Sequence, residues 1–346
     1  MHMFRPMPPF VHNRSVRRVG VLLVNLGTPS GTTYGHLRRY LKEFLSDPRV
    51  VEKNRLFWLT LLNGLLLQII PFKSARNYKK IWDTVRNESP LLGHTRAQAE
   101  GLQERLKGDG VVVRFAMRYG QPAIADVMTE MVAAGVDKLV IVPLYPHYAS
   151  VTTGSVMDAV GDTLKRLRWV PTLRVVHPYF DHPAFIAALA GSVRDHLRTL
   201  GWTPDQILAS YHGIPESYFK NGDPYPCHCW KTSRLLSEAL GLGPAGVPSS
   251  FQSKFGRDPW VSPATEDVLT DLPQKGTKKL AVLTPGFASD CVETLEEIAE
   301  RGKEDFLHAG GEAFTYVPCL NASPRGLDLL ETLTRAELTG WLAPKE

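Results

Sequence analysis

Short apolar runs recur along the chain, and glycine or proline closes most of them. With helix-length stretches between them, such runs predict buried parallel strands joined by right-handed crossovers. The strands predicted in the first half cover residues 19–26, 111–117 and 138–144, and those in the second half cover 173–177, 206–211, 247–252 and 279–284. Helices are predicted at 34–45, 124–134, 290–305 and 326–342.

The two halves follow a similar plan, because KLAVLTP in the second half echoes KLVIVPL in the first. We therefore predict an α/β protein of two similar Rossmann-like domains, each a parallel sheet flanked by helices, with a ligand cleft between them. The predicted division is a disordered leader at 1–16, an N-terminal domain at 17–165 and a C-terminal domain at 166–317. A terminal helix at 318–346 is expected to pack back on the first domain.

Residues 56–70 form the most apolar segment and contain no charged side chain. The segment is too short to span a bilayer comfortably, and a core helix is one interpretation of it. Lysine and arginine flank it on both sides, with Phe57 and Trp58 at one end, which also suits a lip that dips into a membrane interface. The pattern by itself leaves both interpretations open.

The net charge of +5 is a mild excess for 346 residues. It suits an acidic ligand or an anionic membrane surface, but without a dense block of lysine and arginine it does not indicate nucleic-acid binding. The leader lacks the apolar core of a secretory signal, so disulfides are not expected and the cytoplasm is the expected compartment. The cysteines are Cys227, Cys229, Cys291 and Cys319.

One predicted strand ends at a histidine, His212, because Gly213 and Pro215 follow it and terminate the regular structure. The carboxyl end of a strand is where open α/β sheets bind their ligands, so a proton-accepting imidazole is well placed there. A histidine that caps the strand with ordinary hydrogen bonds is the plainer alternative.

A row of carboxylates follows a later strand. At 100° per residue, one face of the predicted helix carries Asp290, Glu293, Glu297 and Glu300. Such a row is usually the solvated side of an amphipathic helix. Because this helix opens at the same kind of strand end as His212, we expect instead a site that moves protons and a divalent cation together. With no further ligands at fixed spacing, that cation is expected to be a passing substrate.

Two further stretches suggest sites. The run Cys227-His228-Cys229 looks like a metal motif, but its spacing is not that of common zinc or iron–sulfur sites, which favours a structural role. Residues 251–260 place Trp260 after a strand together with Lys254 and Arg257. They form either a surface loop or the wall of a flat apolar ligand that carries acidic groups.

Taken together, the motifs resemble those of the ferrochelatases, which insert Fe²⁺ into a porphyrin. The likeness runs from about residue 19 to the C-terminus. Its motifs are VNLGTP, FLSDPRVV, SYHGIPESY with GDPYP, FQSKFGRDPW and PGFASDCVETLEEI, in the order found in the family.

The resemblance implies a chelatase-like fold and the insertion of Fe²⁺ into protoporphyrin IX, which gives protohaem with release of two protons as the last step of haem biosynthesis. His212 and Glu293 would be the catalytic pair and would handle the metal transiently, together with Asp290 and Glu297. The residues implied to line the substrate pocket are Arg118, Tyr119, Trp260, Phe287 and Asp290, with Leu26 on the opposite wall.

The resemblance also bears on cofactors and partners. Some ferrochelatases carry a [2Fe–2S] cluster, but the matching mid-chain position here is Ser150 and the C-terminus has no cysteine-rich tail, so no resident cofactor is expected. Residues 56–70 match the lip of the family's active site, which favours shallow contact with the inner face of the cell membrane. The expected partners are porphyrin and ferrous iron. The oligomeric state is left open, with a monomer slightly favoured.

Three other functions compete. A related chelatase for coproporphyrin III or for cobalt would share the fold and the histidine–glutamate pair. A non-catalytic porphyrin or haem carrier would keep the aromatic walls but would not need both His212 and the acidic row. A nucleotide-dependent enzyme lacks support, because no phosphate-binding fingerprint is present.

Overall fold

The structure is a computed structural model of the 346-residue chain, and it describes residues 18–256 and 258–342. The predicted leader at 1–16 and the side chain of Arg257 lie outside the described residues. Two compact units are present. The first contains the residues up to Leu144, Ser150–His177 and the residues from Leu330, and the second contains Tyr145–Ala149 and Pro178–Leu329.

The first unit is built on a four-stranded parallel sheet of order β2-β1-β3-β4. Residues Val21 to Val24 of β1 are completely buried, as expected for a central strand covered on both faces. Its strands are β1 Arg18–Gly27, β2 Val112–Tyr119, β3 Val136–Pro143 and β4 Thr172–Val175. Its helices are α1 Tyr34–Leu45, α2 Arg55–Leu61, α3 Leu67–Ile81, α4 Pro90–Arg105, α5 Ile124–Ala133 and α6 Ser155–Leu164, with π-helical turns at Leu62–Leu66 and Ser150–Gly154 and a short 3₁₀ turn at Lys107–Asp109.

The second unit repeats the arrangement with a parallel sheet of order β6-β5-β7-β8. The predicted fold class of two similar parallel α/β units is therefore confirmed. Its strands are β5 Gln206–His212, β6 Ser249–Gln252, β7 Lys279–Leu283 and β8 Ala313–Val317. Its helices are α7 Pro183–Arg198, α8 Glu216–Lys220, α9 Tyr225–Leu240, α10 Thr265–Gln274, α11 Val292–Thr294 and α12 Lys303–His308, with a π-helical segment at Leu295–Gly302 between the last two.

Two strand assignments differ from the sequence prediction. The strand predicted at 173–177 was placed in the second half, but β4 pairs with β3 and completes the first sheet. The second sheet is completed instead by β8, which was not predicted. This strand lies at the edge of the sheet and is mostly half-buried, so its apolar pattern is weak.

The predicted helix at 290–305 is not one regular helix. It begins at Val292, passes through the π-helical segment and continues as α12. Ile298 of this segment and Phe306 of α12 are buried in a core with Leu280 and Val282 of β7. The irregular helix is therefore held against the sheet by the same apolar burial that drives folding.

The last helix, α13 Pro324–Leu338, contributes ion pairs to the first unit. Arg335 Nη1 lies 2.8 Å from Asp109 Oδ2, and Arg105 Nη1 lies 3.0 Å from Glu331 Oε2. These contacts connect the C-terminal part of the chain to the end of α4 and to the 3₁₀ turn that follows it.

Among the described residues, one helical run, Arg55–Ile81, is long and apolar enough to cross a bilayer by length and composition alone. One of its faces is packed, because Trp58, Leu62 and Leu67 form a core with residues of α1. Another face is open, and its exposed apolar side chains are Leu56, Phe57, Leu65, Ile69 and Phe72.

Candidate active site

His212 is the last residue of β5 and is half-buried. Its Nδ1 atom lies 2.7 Å from the carbonyl oxygen of Gly213. Because a carbonyl oxygen only accepts, Nδ1 carries the proton of the neutral ring and Nε2 keeps its lone pair. His212 is therefore oriented as a proton acceptor.

The indole of Trp260 packs against Gly213, the residue that follows this histidine. A Cβ atom on Gly213 would lie 2.9 Å from Cε3 of Trp260, so only glycine leaves room for the ring. The two segments are joined by a hydrogen bond from the Val261 N–H to the Ile214 carbonyl at 3.0 Å. The Trp260 Nε1 atom is buried and has no hydrogen-bond partner within the described part of the chain.

Glu293 and Glu297 lie near the end of β6. The side-chain amide of Gln252 donates to the Glu293 carbonyl at 2.7 Å. Ser253 donates twice to Glu297, from its N–H to Oε1 at 2.8 Å and from its hydroxyl to Oε2 at 2.6 Å.

The surroundings of Glu297 act on its pKa in opposite directions. Burial raises this pKa, and the hydrogen bond from Ser253 with the charges of His212 and Arg301 offsets only part of the rise. The carboxyl group of Glu297 thus lies close enough to His212 for their charges to interact.

The predicted acidic face must be corrected. Asp290 precedes the helix, and the π-helical segment adds roughly one residue per turn to the α-helical repeat, so positions no longer recur every 100°. Glu300 is exposed, whereas Glu293 and Glu297 are half-buried. The four carboxylates therefore do not form one α-helical row.

Asp290 is buried, and both of its carboxylate oxygens accept hydrogen bonds. Its Oδ1 accepts from the Tyr316 hydroxyl at 2.7 Å and from the Thr294 hydroxyl at 3.0 Å, and its Oδ2 accepts from the Asn321 amide at 2.6 Å. The Cys319 N–H also points to Oδ1, at 3.4 Å. These contacts give Asp290 a clear structural part, and its predicted metal contact stays a prediction.

The loop between β7 and α11 carries Phe287, which is half-buried. Its N–H donates to the Thr284 carbonyl at 3.1 Å, and the next residue, Ala288, accepts from the Asn321 N–H at 3.1 Å. Asn321 also accepts from the Asp290 N–H at 2.8 Å. The position of Phe287 thus depends on the same side chains that surround Asp290.

In the first unit, Arg118 and Tyr119 end β2 and meet at Asp47. Arg118 Nη2 lies 2.6 Å from Asp47 Oδ2, and its Nε donates to the Ser155 hydroxyl at 2.6 Å. The Tyr119 hydroxyl donates to Asp47 at 2.8 Å. Burial alone would raise the pKa of Asp47, but hydrogen bonds from Ser155, the Arg49 N–H and Tyr119, with the Arg118 charge, hold it below its usual value.

Tyr119 exposes none of its surface, and Arg118 lies over its ring at 4.4 Å. Its contacts support the guanidinium of Arg118, and a direct contact of Tyr119 with substrate stays a prediction. Leu26 is half-buried near the end of β1. The next residue, Gly27, has φ +117 and lies so close to the neighbouring strand that a Cβ atom would be 1.8 Å from the Tyr119 carbonyl oxygen.

A second histidine, His147, is unsuited to accept protons near neutral pH. It is completely buried among aromatic rings, and its Nε2 lies 2.8 Å from the Thr232 hydroxyl. Burial, with a smaller contribution from the nearby His228, lowers the pKa of His147 to about 3. The imidazole of His147 therefore stays neutral, which leaves His212 as the better acceptor.

The four cysteines are free thiols that differ in burial. Cys229 and Cys291 are buried, Cys319 is partly buried and Cys227 is exposed. Within residues 18–256 and 258–342, no three or more side chains of histidine, cysteine, aspartate or glutamate come together in a way that could hold a metal ion. Burial raises the pKa of the Cys291 thiol, and the adjacent Glu293 carboxylate raises it further.

Sequence reasoning assigned no role to several residues that shape these sites. Asp47, which follows α1, and Ser253, which follows β6, lie inside motifs that were noted, FLSDPRVV and FQSKFGRDPW, so the motifs were a usable signal. Ser155, Tyr316 and Asn321 lie far along the chain from the groups they contact, and only the fold brings them there.

Two solved structures share this architecture. SirB from Bacillus subtilis with Fe³⁺ matches with a TM-score of 0.54 at 13% identity, over 93% of this chain and 95% of that chain. The sirohydrochlorin chelatase SirB from Bacillus subtilis subspecies spizizenii, in complex with cobalt, matches with a TM-score of 0.52 at 12% identity, over 93% of this chain and 97% of that chain. The chain thus shares the fold of these two SirB structures.

The family follows from closer relatives. The ferrochelatase family model matches residues 18–338. The ferrochelatase of Agrobacterium fabrum is 52% identical over 94% of this chain and 95% of its own length, and that of Rhizobium meliloti is 50% identical over 94% and 96%. The chain belongs to the ferrochelatase family, which confirms the resemblance seen in its motifs.

Proposed function

We propose that the chain inserts Fe²⁺ into protoporphyrin IX to give protohaem, with His212 as the proton acceptor and Glu293 as the second catalytic group. The observation that carries this assignment is the bond between His212 Nδ1 and the Gly213 carbonyl at 2.7 Å, which leaves Nε2 with its lone pair at the end of a central strand. Membership of the ferrochelatase family supports the reaction.

The chemistry requires two pyrrole N–H protons to leave the porphyrin as the metal enters. The Nε2 lone pair of the His212 imidazole can accept one of these protons. Glu293 supplies a carboxylate for the second proton or for the incoming Fe²⁺, which is a substrate.

The porphyrin itself is a rigid plane that an aromatic wall can bind. Trp260 packs against Gly213, next to His212 in the chain, and Phe287 lies on the loop that leads to Asp290 and Glu293. We propose that these rings bind the macrocycle, and that Leu26 and Arg118 are substrate-binding residues as well. Binding energy from such walls can distort the ring and turn a nitrogen lone pair toward the metal.

We propose that no resident cofactor takes part. A [2Fe–2S] cluster needs four ligands that converge, and the proposal is supported by the lack, among the described residues, of three or more histidine, cysteine, aspartate or glutamate side chains grouped so that they could hold a metal ion. The proposed location is the cytoplasm, in contact with the inner face of the cell membrane, and the proposed active form is a monomer.

The membrane contact is proposed for the open face of Arg55–Ile81. Leu56 is 81% exposed and Phe57 is 65% exposed, and such apolar surface is costly in water. Because the opposite face is packed on α1, the run suits shallow insertion into one leaflet rather than passage across the bilayer.

Replacing Leu56, Phe57 and Ile69 together with serine is expected to weaken binding to vesicles of anionic phospholipid by roughly 10- to 100-fold, because three apolar side chains no longer enter the interface. Co-sedimentation with vesicles measures the loss. The matched control replaces Val85 and Leu242, which are also exposed, with serine and should bind as the wild type does. An equal loss of vesicle binding in both proteins, or no loss in either, would contradict the proposed membrane contact.

The catalytic proposal is tested with Glu293→Gln, which keeps the shape of the side chain and removes its charge. We expect kcat for anaerobic Fe²⁺ insertion to fall roughly 100-fold, since a carboxylate that carries a proton or the metal is lost. Glu304→Gln, an exposed carboxylate in α12, serves as the control and should keep full activity. Unchanged kcat in Glu293→Gln would exclude Glu293 from the catalytic pair.

A further inference from the structure

Ser253 has an unusual backbone conformation for its residue type. It follows the last residue of β6, and its φ of 65° lies in the left-handed region that non-glycine residues rarely adopt. Three residues later the chain uses glycine for the same conformation, at Gly256 with φ 79°. A serine at this position therefore keeps a side chain where a glycine would relieve strain, which is typical of functional sites.

The conformation directs two donors of one residue at one carboxylate. The Ser253 N–H lies 2.8 Å from Glu297 Oε1, and the Ser253 hydroxyl lies 2.6 Å from Glu297 Oε2. Both oxygens of Glu297 are thus held by a residue of another element, and the plane of the carboxylate is fixed. Charge-assisted hydrogen bonds of this kind are short and strongly orienting.

The preceding residue, Gln252, also links the end of β6 to this helix, in this case through a bond from its side chain to a backbone carbonyl. The Gln252 amide donates to the Glu293 carbonyl at 2.7 Å, and its oxygen accepts from the Ser210 hydroxyl at 2.8 Å. The end of β6 is therefore bonded both to β5, which carries His212, and to the helix that carries the two glutamates. Because that helix is π-helical after Thr294, the α-helical repeat does not set the position of Glu297.

We propose that Ser253 is a positioning residue for metal insertion, which holds the Glu297 carboxylate in one orientation beside His212 through its hydroxyl. The inference rests on the proposed function of this site. The role of Ser253 depends on Glu297 and requires the serine hydroxyl. The left-handed backbone turn alone, which a glycine would also form, is not sufficient.

The test compares wild type, Ser253→Ala, Ser253→Gly, Glu297→Gln and the double variant Ser253→Gly/Glu297→Gln in anaerobic Fe²⁺ insertion into protoporphyrin IX. We expect both Ser253 variants to lower kcat about 10-fold, with the KM for porphyrin within twofold of wild type, because one charge-assisted hydrogen bond is lost. The double variant should be no slower than Glu297→Gln alone, since Ser253 acts through that carboxylate. Ser249→Ala is the matched control, because its hydroxyl donates to Ser233 instead.

The alanine and glycine variants separate the hydroxyl from the backbone. Wild-type kcat in Ser253→Gly would show that only the left-handed turn matters and would overturn the inference. A double variant slower than either single variant by the product of their effects would show that Ser253 acts independently of Glu297, and would also overturn it. Ser253→Gly relieves the strain of the turn, so its melting temperature should stay close to wild type. Absence of metal insertion in the wild type would instead refute the proposed function, and the inference with it.

Discussion

Replacing His212 with alanine is expected to lower kcat for Fe²⁺ insertion by roughly a thousandfold, within the range found for loss of a general base. Nε2 of His212 is the proposed acceptor for the pyrrole protons, whereas His147 is buried with a pKa of about 3. Porphyrin binding should change only a few-fold, because the aromatic walls remain. Steady-state rates give the first quantity, and quenching of porphyrin fluorescence gives the second.

His308→Ala provides the control for this prediction, since His308 is exposed at the end of α12. It should retain the activity of the wild type. If His212→Ala kept more than about a tenth of wild-type kcat, a general-base role for His212 would be excluded. If it lost porphyrin binding as severely as activity, His212 would be a binding residue instead.

Replacing Asp290 with alanine is expected to destabilise the second unit by about 3–5 kcal/mol, because several buried donors lose their common acceptor. The donors are the hydroxyl groups of Tyr316 and Thr294, the Asn321 amide and the Cys319 N–H. For a unit of this size, such a loss lowers the melting temperature by roughly 10 °C. Circular dichroism followed on heating measures it.

Asp290→Asn tests the same account more finely. Asparagine keeps one acceptor oxygen but directs an amide at the Asn321 amide, so we expect a melting temperature between those of wild type and Asp290→Ala. Glu304→Ala, on an exposed site, should melt as the wild type does. A fully stable but inactive Asp290→Ala protein would contradict the structural part assigned here and would favour direct contact with Fe²⁺.

Much of the fold was predictable because burial on both faces leaves a clear sequence pattern. Strands such as β1 and β7 are continuous apolar runs, and their positions agree with the prediction within a few residues. The edge strand β8 was missed, since a partly exposed strand has no such run. The sheet to which β4 belongs could not be read from chain order, because its partner β3 is fixed only by the three-dimensional packing.

The site was predictable to the level of motifs but not of contacts. His212 could be singled out because it is the last residue of a strand and is followed by Gly213 and Pro215, which end the regular structure. The π-helical segment could not be predicted, since a periodic pattern of apolar residues assumes the α-helical repeat. The hydrogen bonds from Ser253 to Glu297 could not be predicted either, because they join residues that are 44 positions apart in the sequence.

Metal insertion is distinguished most directly from mere binding of porphyrin in one experiment. The wild-type protein is mixed with Fe²⁺ and protoporphyrin IX under anaerobic conditions. In a weakly buffered solution with a pH indicator, the account predicts repeated turnover, with loss of the free-porphyrin spectrum, formation of protohaem and release of two protons for each haem. A metal-only blank corrects for hydrolysis of the iron. Tight binding of porphyrin with neither metal insertion nor proton release would contradict the account and identify a carrier.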